Sequence, residues 1–154
     1  MGIRMILTER QEHLLDSLRL AAREQLENPD LKSEELTSLG NSFTPLIGEL
    51  SACKSLGIRW CPCAGYDARD GETRYQIKTR RRSDPQKEIK RGRVGKFRNN
   101  DYDFGLLVIL DYQFETKGIY RLRRDEVIRL QDKEGGSGIH VSTFMKAAGH
   151  SLVP

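Results

Sequence analysis

Apolar residues recur at helical spacing between Thr8 and Leu26, where Leu14, Leu15, Leu18, Ala21, Ala22 and Leu26 follow the period. That pattern predicts an amphipathic helix. Thr8 with Gln11 three positions on supplies a capping box, and Asn28-Pro29-Asp30 a stop. A short second helix is expected from Ser33 to Leu39, with Glu34 and Glu35 at its positive end and Gly40 at its close. Asn41 to Pro45 reads as a turn, and Pro45 as the first position of a third helix, Leu46 to Leu56, ended by Gly57. Ile58 to Ala64 reads as a short strand. The alternation from Arg74 to Lys78 predicts another, entered through the tight-turn signal Asp70-Gly71. No period is visible from Arg81 to Asn100, and Gly92 and Gly95 among lysines and arginines predict a flexible loop. Phe104 to Leu110 carries a run apolar on both faces, the mark of a central strand covered on two sides. Asp111 to Lys117 turns the chain. Gly118 to Leu122 is the next strand, Arg124 to Leu130 a helix, and Gly135 to Gly138 a link. Ile139 to Phe144 is expected as a last strand and Met145 to Ala148 as a helical turn. The fold class that follows is α/β, a mixed central sheet with helices packed on it and further helices at the N-terminus.

A chain of 154 residues is the size of one domain and long enough to bury a core. No apolar run approaches the roughly 18 residues that span a bilayer. Glu9, Arg10, Glu12 and His13 interrupt any secretory stretch at the N-terminus. Three cysteines are too few for a disulfide scaffold, so a cytoplasmic setting is expected. Cys53, Cys61 and Cys63 lack a fourth ligand for zinc, with His13, His140 and His150 scattered, and read as small buried residues.

The net charge of +4 hides a strong local cluster. Arg80, Arg81, Arg82, Lys87, Lys90, Arg91, Arg93, Lys96 and Arg98 are opposed only by Asp84 and Glu88. Such a segment suits an anionic polymer, with a solvated loop as the plainer alternative. Tyr66, Tyr75, Phe97 and Tyr102 flank the charged segments; core packing accounts for most of them, with Phe97 the candidate to watch for stacking on a base.

The chemistry concentrates in Gly65-Tyr66-Asp67, a charged turn, and Tyr75-Gln76-Ile77-Lys78. In a strand Gln76 and Lys78 share one face while Ile77 points to the other. A folded-back hairpin brings Asp67 towards that pair. A carboxylate and an amide oxygen beside a lysine are suited to hold a hard divalent cation and position a water, the minimum for metal-assisted phosphodiester hydrolysis.

Asp, a spacer and Gln-x-Lys after Gly-x-Asp resembles the PD-(D/E)xK nuclease superfamily, and the Gln is similar to its Mrr-like branch. Gly48-Glu49-Leu50-x-Ala52 on the preceding helix, the apolar strand Phe104 to Leu110 and the helix from Arg124 agree with it. There is no Pro before Asp67. The resemblance implies a restriction-endonuclease-like core over residues 43–130 of a single domain, with a helical extension at 1–42 and a C-terminal element at 131–154. It implies a deoxyribonuclease using Mg2+, or Mn2+ in its place. Asp67, Gln76, the Ile77 carbonyl and Glu49 would be the metal ligands, Glu49 through water, and Lys78 would complete the catalytic set. It implies DNA as partner, a homodimer for cutting both strands, and a role in restriction, defence, repair or homing. A catalytically weak or inactive DNA-binding or protein-interaction module of the same fold is the alternative class, and an RNA-directed nuclease a third reading.

Overall fold

Thr8 opens α1 (Glu9–Leu26) as its capping box requires: its hydroxyl accepts from the Gln11 amide, and the Gln11 side chain accepts from the Thr8 amide. Both bonds satisfy donors that a first helical turn leaves without partners. The structure, a computed structural model, describes residues 7–28, 30, 33–62, 65–82, 92–98, 101–136 and 138–154, with only the backbone for 33–42.

The next segment departs from the sequence pattern. Ser33–Leu56 is one helix, α2, running through Gly40 and Pro45 where a stop and a turn were expected. An internal Gly costs about 1 kcal/mol and an internal Pro about 3 relative to Ala. Continuous burial outweighs both, because Thr44, Ile47, Leu50, Ala52 and Cys53 are all buried. Pro45 itself is exposed, and its ring leaves the carbonyl one turn back without a helical donor.

The strands are β1 (Arg59–Trp60), β2 (Ala68–Asp70), β3 (Thr73–Arg81), β4 (Arg93–Val94), β5 (Phe104–Leu110), β6 (Thr116–Arg123) and β7 (Ile139–His140). Two further helices are α3 (Arg124–Lys133) and α4 (Val141–Ala148). The central sheet has the order β1-β2-β3-β5-β6; β3 and β5 are parallel and the other neighbours antiparallel. β4 and β7 pair apart from it. Gly71, at φ 60°, turns β2 into β3 in a conformation that a Cβ would strain.

β5 is the two-faced central strand its sequence demanded. Leu106, Val108 and Leu110 join Leu15, Ile47 and Ile77 in a core under α1 and α2. Leu107 joins Val94, Phe97, Leu130, Ile139 and Phe144 in a second core on the opposite face. The fold is therefore α/β with a mixed sheet flanked by helices, an arrangement compatible with the restriction-endonuclease-like fold.

Several boundaries move. The strand expected at 58–64 shrinks to β1, with Pro62 in an exposed turn and residues 63–64 outside the described ones. The strand expected from Ile139 to Phe144 stops at His140. Val141, Phe144 and Ala148 fall at helical spacing onto the second core, and so belong to α4. Within the loop expected at 81–100, Gly92 to Arg98 is anchored by β4 and by Val94 and Phe97, whose side chains are buried. Residues 83–91 and 99–100 lie outside the described residues. Among the described residues, no helix is long and apolar enough to cross a membrane.

Candidate functional site

The close approach of α2 to β3 creates the site. A Cβ at Gly48 would lie 1.8 Å from the Thr79 hydroxyl oxygen, so only glycine lets the helix settle at this depth. The next residue, Glu49, is thereby carried to the edge where β2 and β3 separate.

At that edge the ladder breaks. Ala68 is the last paired residue of β2, opposite Tyr75, and residue 67 would oppose 76. Instead the Asp67 amide donates back to the Tyr75 carbonyl at 2.8 Å. The Asp67 carboxylate accepts from the Ile77 amide at 2.7 Å, taking the place of the missing strand. Asp67 thus reaches the Gln76–Lys78 segment at its backbone, on the Ile77 amide. The described part of Ile77's role is this amide and a buried side chain in the first core.

Glu49 lies against Asp67. Burial first, then the Asp67 charge and a hydrogen bond to it, push the Glu49 carboxyl up to about 8. Trp60 and Lys78 pull the other way. The Trp60 indole nitrogen is buried, and by bond geometry it has no partner among the described residues. Glu49 therefore keeps its proton at neutral pH.

Gln76 and Lys78 face the second core, paired in register with Gly105 and Leu107. The Gln76 side-chain oxygen is buried and has no partner among the described residues. A buried acceptor in that state carries a desolvation cost that a donor or a cation would remove. The Lys78 ammonium sits 5.8 Å from the centre of the Phe97 ring. A Cβ at Gly95 would lie 3.8 Å from it, so the 92–98 segment passes over the lysine.

The basic residues divide. Arg80 shares the face of Gln76 and Lys78; its guanidinium packs against Gly92, and its Nε is buried without a partner among the described residues. Arg82 follows Arg80 by alternation. Arg93, Lys96 and Arg98 are exposed on the segment crossing Lys78. Arg81 is not brought to them: its guanidinium lies 4.4 Å over Phe114 and 5.1 Å over Tyr112, and its Nε donates to the Tyr112 carbonyl at 3.2 Å. Burial lowers its pKa. Lys87, Lys90 and Arg91 lie outside the described residues. Phe97 is corrected outright. It is 4 % exposed and packed against Phe144 and Tyr102, closed to any base.

Two residues of consequence escaped the sequence reading. Gly48 stood in a helix without an assigned reason. Gln131, buried on α3, accepts from the Phe97 amide at 2.7 Å and donates to its carbonyl at 3.3 Å, fastening the basic segment. Its signal was an amide four residues after Val127 on an apolar stripe.

Among the described residues no group of three or more His, Cys, Asp or Glu gathers to hold a metal. Asp67 and Glu49 pair as oxygen donors of the kind hard cations take. The Gln76 oxygen, buried without a partner among the described residues, is a further oxygen donor on the neighbouring strand. Fold and site together define an α/β protein with a carboxyl pair at a sheet edge, crossed by a basic segment. No protein-family model matches this chain, and no curated protein matches its sequence.

Proposed function

We propose that this chain is a Mg2+-dependent deoxyribonuclease that hydrolyses DNA phosphodiester bonds, with Mn2+ able to replace Mg2+. The observation that carries the reading is the Asp67 carboxylate seated on the Ile77 amide, between Gln76 and Lys78 in sequence, with Glu49 beside it. Asp67, Glu49 and Gln76 would hold the metal, with water completing its coordination. When bound, the metal supplies Lewis acidity and a water of lowered pKa.

The protein's own part follows from its charges. Asp67 fixes one oxygen on the Ile77 amide, which orients the carboxylate. Gln76 contributes no charge, so binding strengthens when a phosphate adds its own. Lys78 offsets negative charge developing on phosphorus and orients the attacking water. Arg80, Arg82, Arg93, Lys96 and Arg98 grip backbone phosphates, which gives affinity with little sequence preference. A homodimer would set two sites across a duplex, and Leu14 and Leu20, exposed on α1, offer a contact surface. A reducing cytoplasm suits the thiol of Cys53, which burial pushes up to about 12 and leaves unreactive.

Cleavage of plasmid and single-stranded DNA in Mg2+, Mn2+ or EDTA tests this. Cutting is expected only with metal, and to fall about a hundredfold or more in Asp67→Asn and Lys78→Ala. Asp67→Asn keeps an acceptor for the Ile77 amide, so its loss of activity would not be a loss of fold. Wild-type protein inert with every metal defeats the enzyme reading.

A second reading, an inactive DNA-binding or protein-interaction module, is favoured by the structural duty of Asp67 and by the amide at 76. Calorimetry separates the two. Heat on adding Mg2+ or Mn2+ in the presence of DNA, lost in Asp67→Asn, supports the enzyme, and its absence supports the module.

A further inference from the structure

The geometry points to a nucleotide subsite at the far end of β3, a cavity that takes one unpaired base of a DNA strand running along β3 from Lys78. This rests on the DNA reading above and adds that the bound strand is single or locally unpaired.

The cavity measures about 290 Å³, at the small end for ligand sites. Arg82, Ile109, Lys117, Gly118, Tyr120 and Met145 are among the residues that line it. Gly118 leaves room for the Tyr120 ring: a Cβ there would come within 2.8 Å of it. An aromatic ring with apolar side chains suits the face of a base, and two cations suit its phosphates. Asp111 also lines the cavity, with its charge already answered. Its Oδ1 accepts from the Gln113 and Glu115 amides at 2.8 and 2.9 Å, and its Oδ2 lies 3.7 Å from the Lys117 ammonium.

A row of cations joins the cavity to the candidate centre. Alternation puts Lys78, Arg80 and Arg82 on one face, each about 6.6 Å from the next. That pitch is comparable to the separation of successive phosphates in an extended strand. The 92–98 segment lies over Lys78 and Arg80, so a strand follows this row along the exposed Arg93, Lys96 and Arg98 of that segment before it meets Arg82 at the cavity. Lys78 and Arg82 are about 13 Å apart, a reach of some two nucleotides. A base that is paired and stacked cannot enter a walled cavity, so the strand must present it free or extruded.

Fluorescence anisotropy in EDTA tests the proposal without metal or cleavage, using an eight-residue oligothymidylate and an abasic strand of equal length. Tyr120→Ala is expected to weaken oligothymidylate binding at least about fivefold and to leave the abasic strand within about twofold. Lys117→Glu alters a side chain 63 % exposed, away from the core. It should weaken both probes and lower the salt slope by about one. The proposal is overturned if both variants bind like wild type, or if Tyr120→Ala loses the same factor on both probes. A protein that binds in this pattern yet never cleaves DNA would fail the nuclease reading alone.

Discussion

Two carboxyls in contact resist ionising together, and Glu49 bears the consequence. Its pKa rises from 4.5 to about 8 in the folded chain. Below about 4.5 it is protonated whether the chain is folded or not. Between 4.5 and 8 the unfolded chain gives up the proton while the folded one keeps it, so rising pH removes stability across that window, and the loss levels off above it. Denaturant titrations of metal-free wild type and Glu49→Gln should therefore diverge from pH 5 to pH 8, the wild type losing ground. Parallel curves would mean that Glu49 does not sit shielded against Asp67. Asp67, Gln76 and Lys78 were legible as residue types at a telling spacing, because alternation fixes which side chains share a strand face. The unpartnered burial of the Gln76 oxygen was not legible, since it depends on strands and segments packed from elsewhere in the chain, Gly105 of β5 among them.

At the scale of elements, α2 shows where local preference yields. Gly40 and Pro45 are stop signals by propensity, and the burial of Ile47, Leu50 and Cys53 carries the helix through them. Gly48 makes the sharper test. In an ordinary exposed helix Gly→Ala stabilises by about 1 kcal/mol. Here the new methyl meets Thr79, and Gly48→Ala should instead cost about 1–3 kcal/mol in urea unfolding. A stabilised Gly48→Ala protein would disprove the close approach of α2 to β3, and with it the placement of Glu49. The short pairs β1, β4 and β7 escaped or were misjudged for a related reason. Two residues carry no period, and their pairing comes from distant partners such as Val94 and Ile139.

Over the whole molecule, the sheet separates two cores, and the chemistry lies at the seam between them. Glu49 arrives from the helix-covered face, while Gln76, Lys78 and Arg80 face the other core and the basic segment crossing it. A grip of this kind is electrostatic and screened by salt. Replacing both Lys96 and Arg98 with Glu should weaken binding to all DNA sequences alike. It should also lower the slope of log affinity against log salt by about two, measured by anisotropy. An unchanged slope would place the DNA elsewhere.

Sequence alone determined the α/β class, the first helix with its cap, the turn at Gly71 and the double-faced strand at Phe104–Leu110. These depend on periodicity and on backbone geometry within a few residues. Only the tertiary structure decided that a helix runs through proline, that Phe97 is core and that Arg81 serves a turn. It alone set Glu49 against Asp67. Those outcomes depend on burial and contact between segments tens of residues apart, which no local pattern encodes.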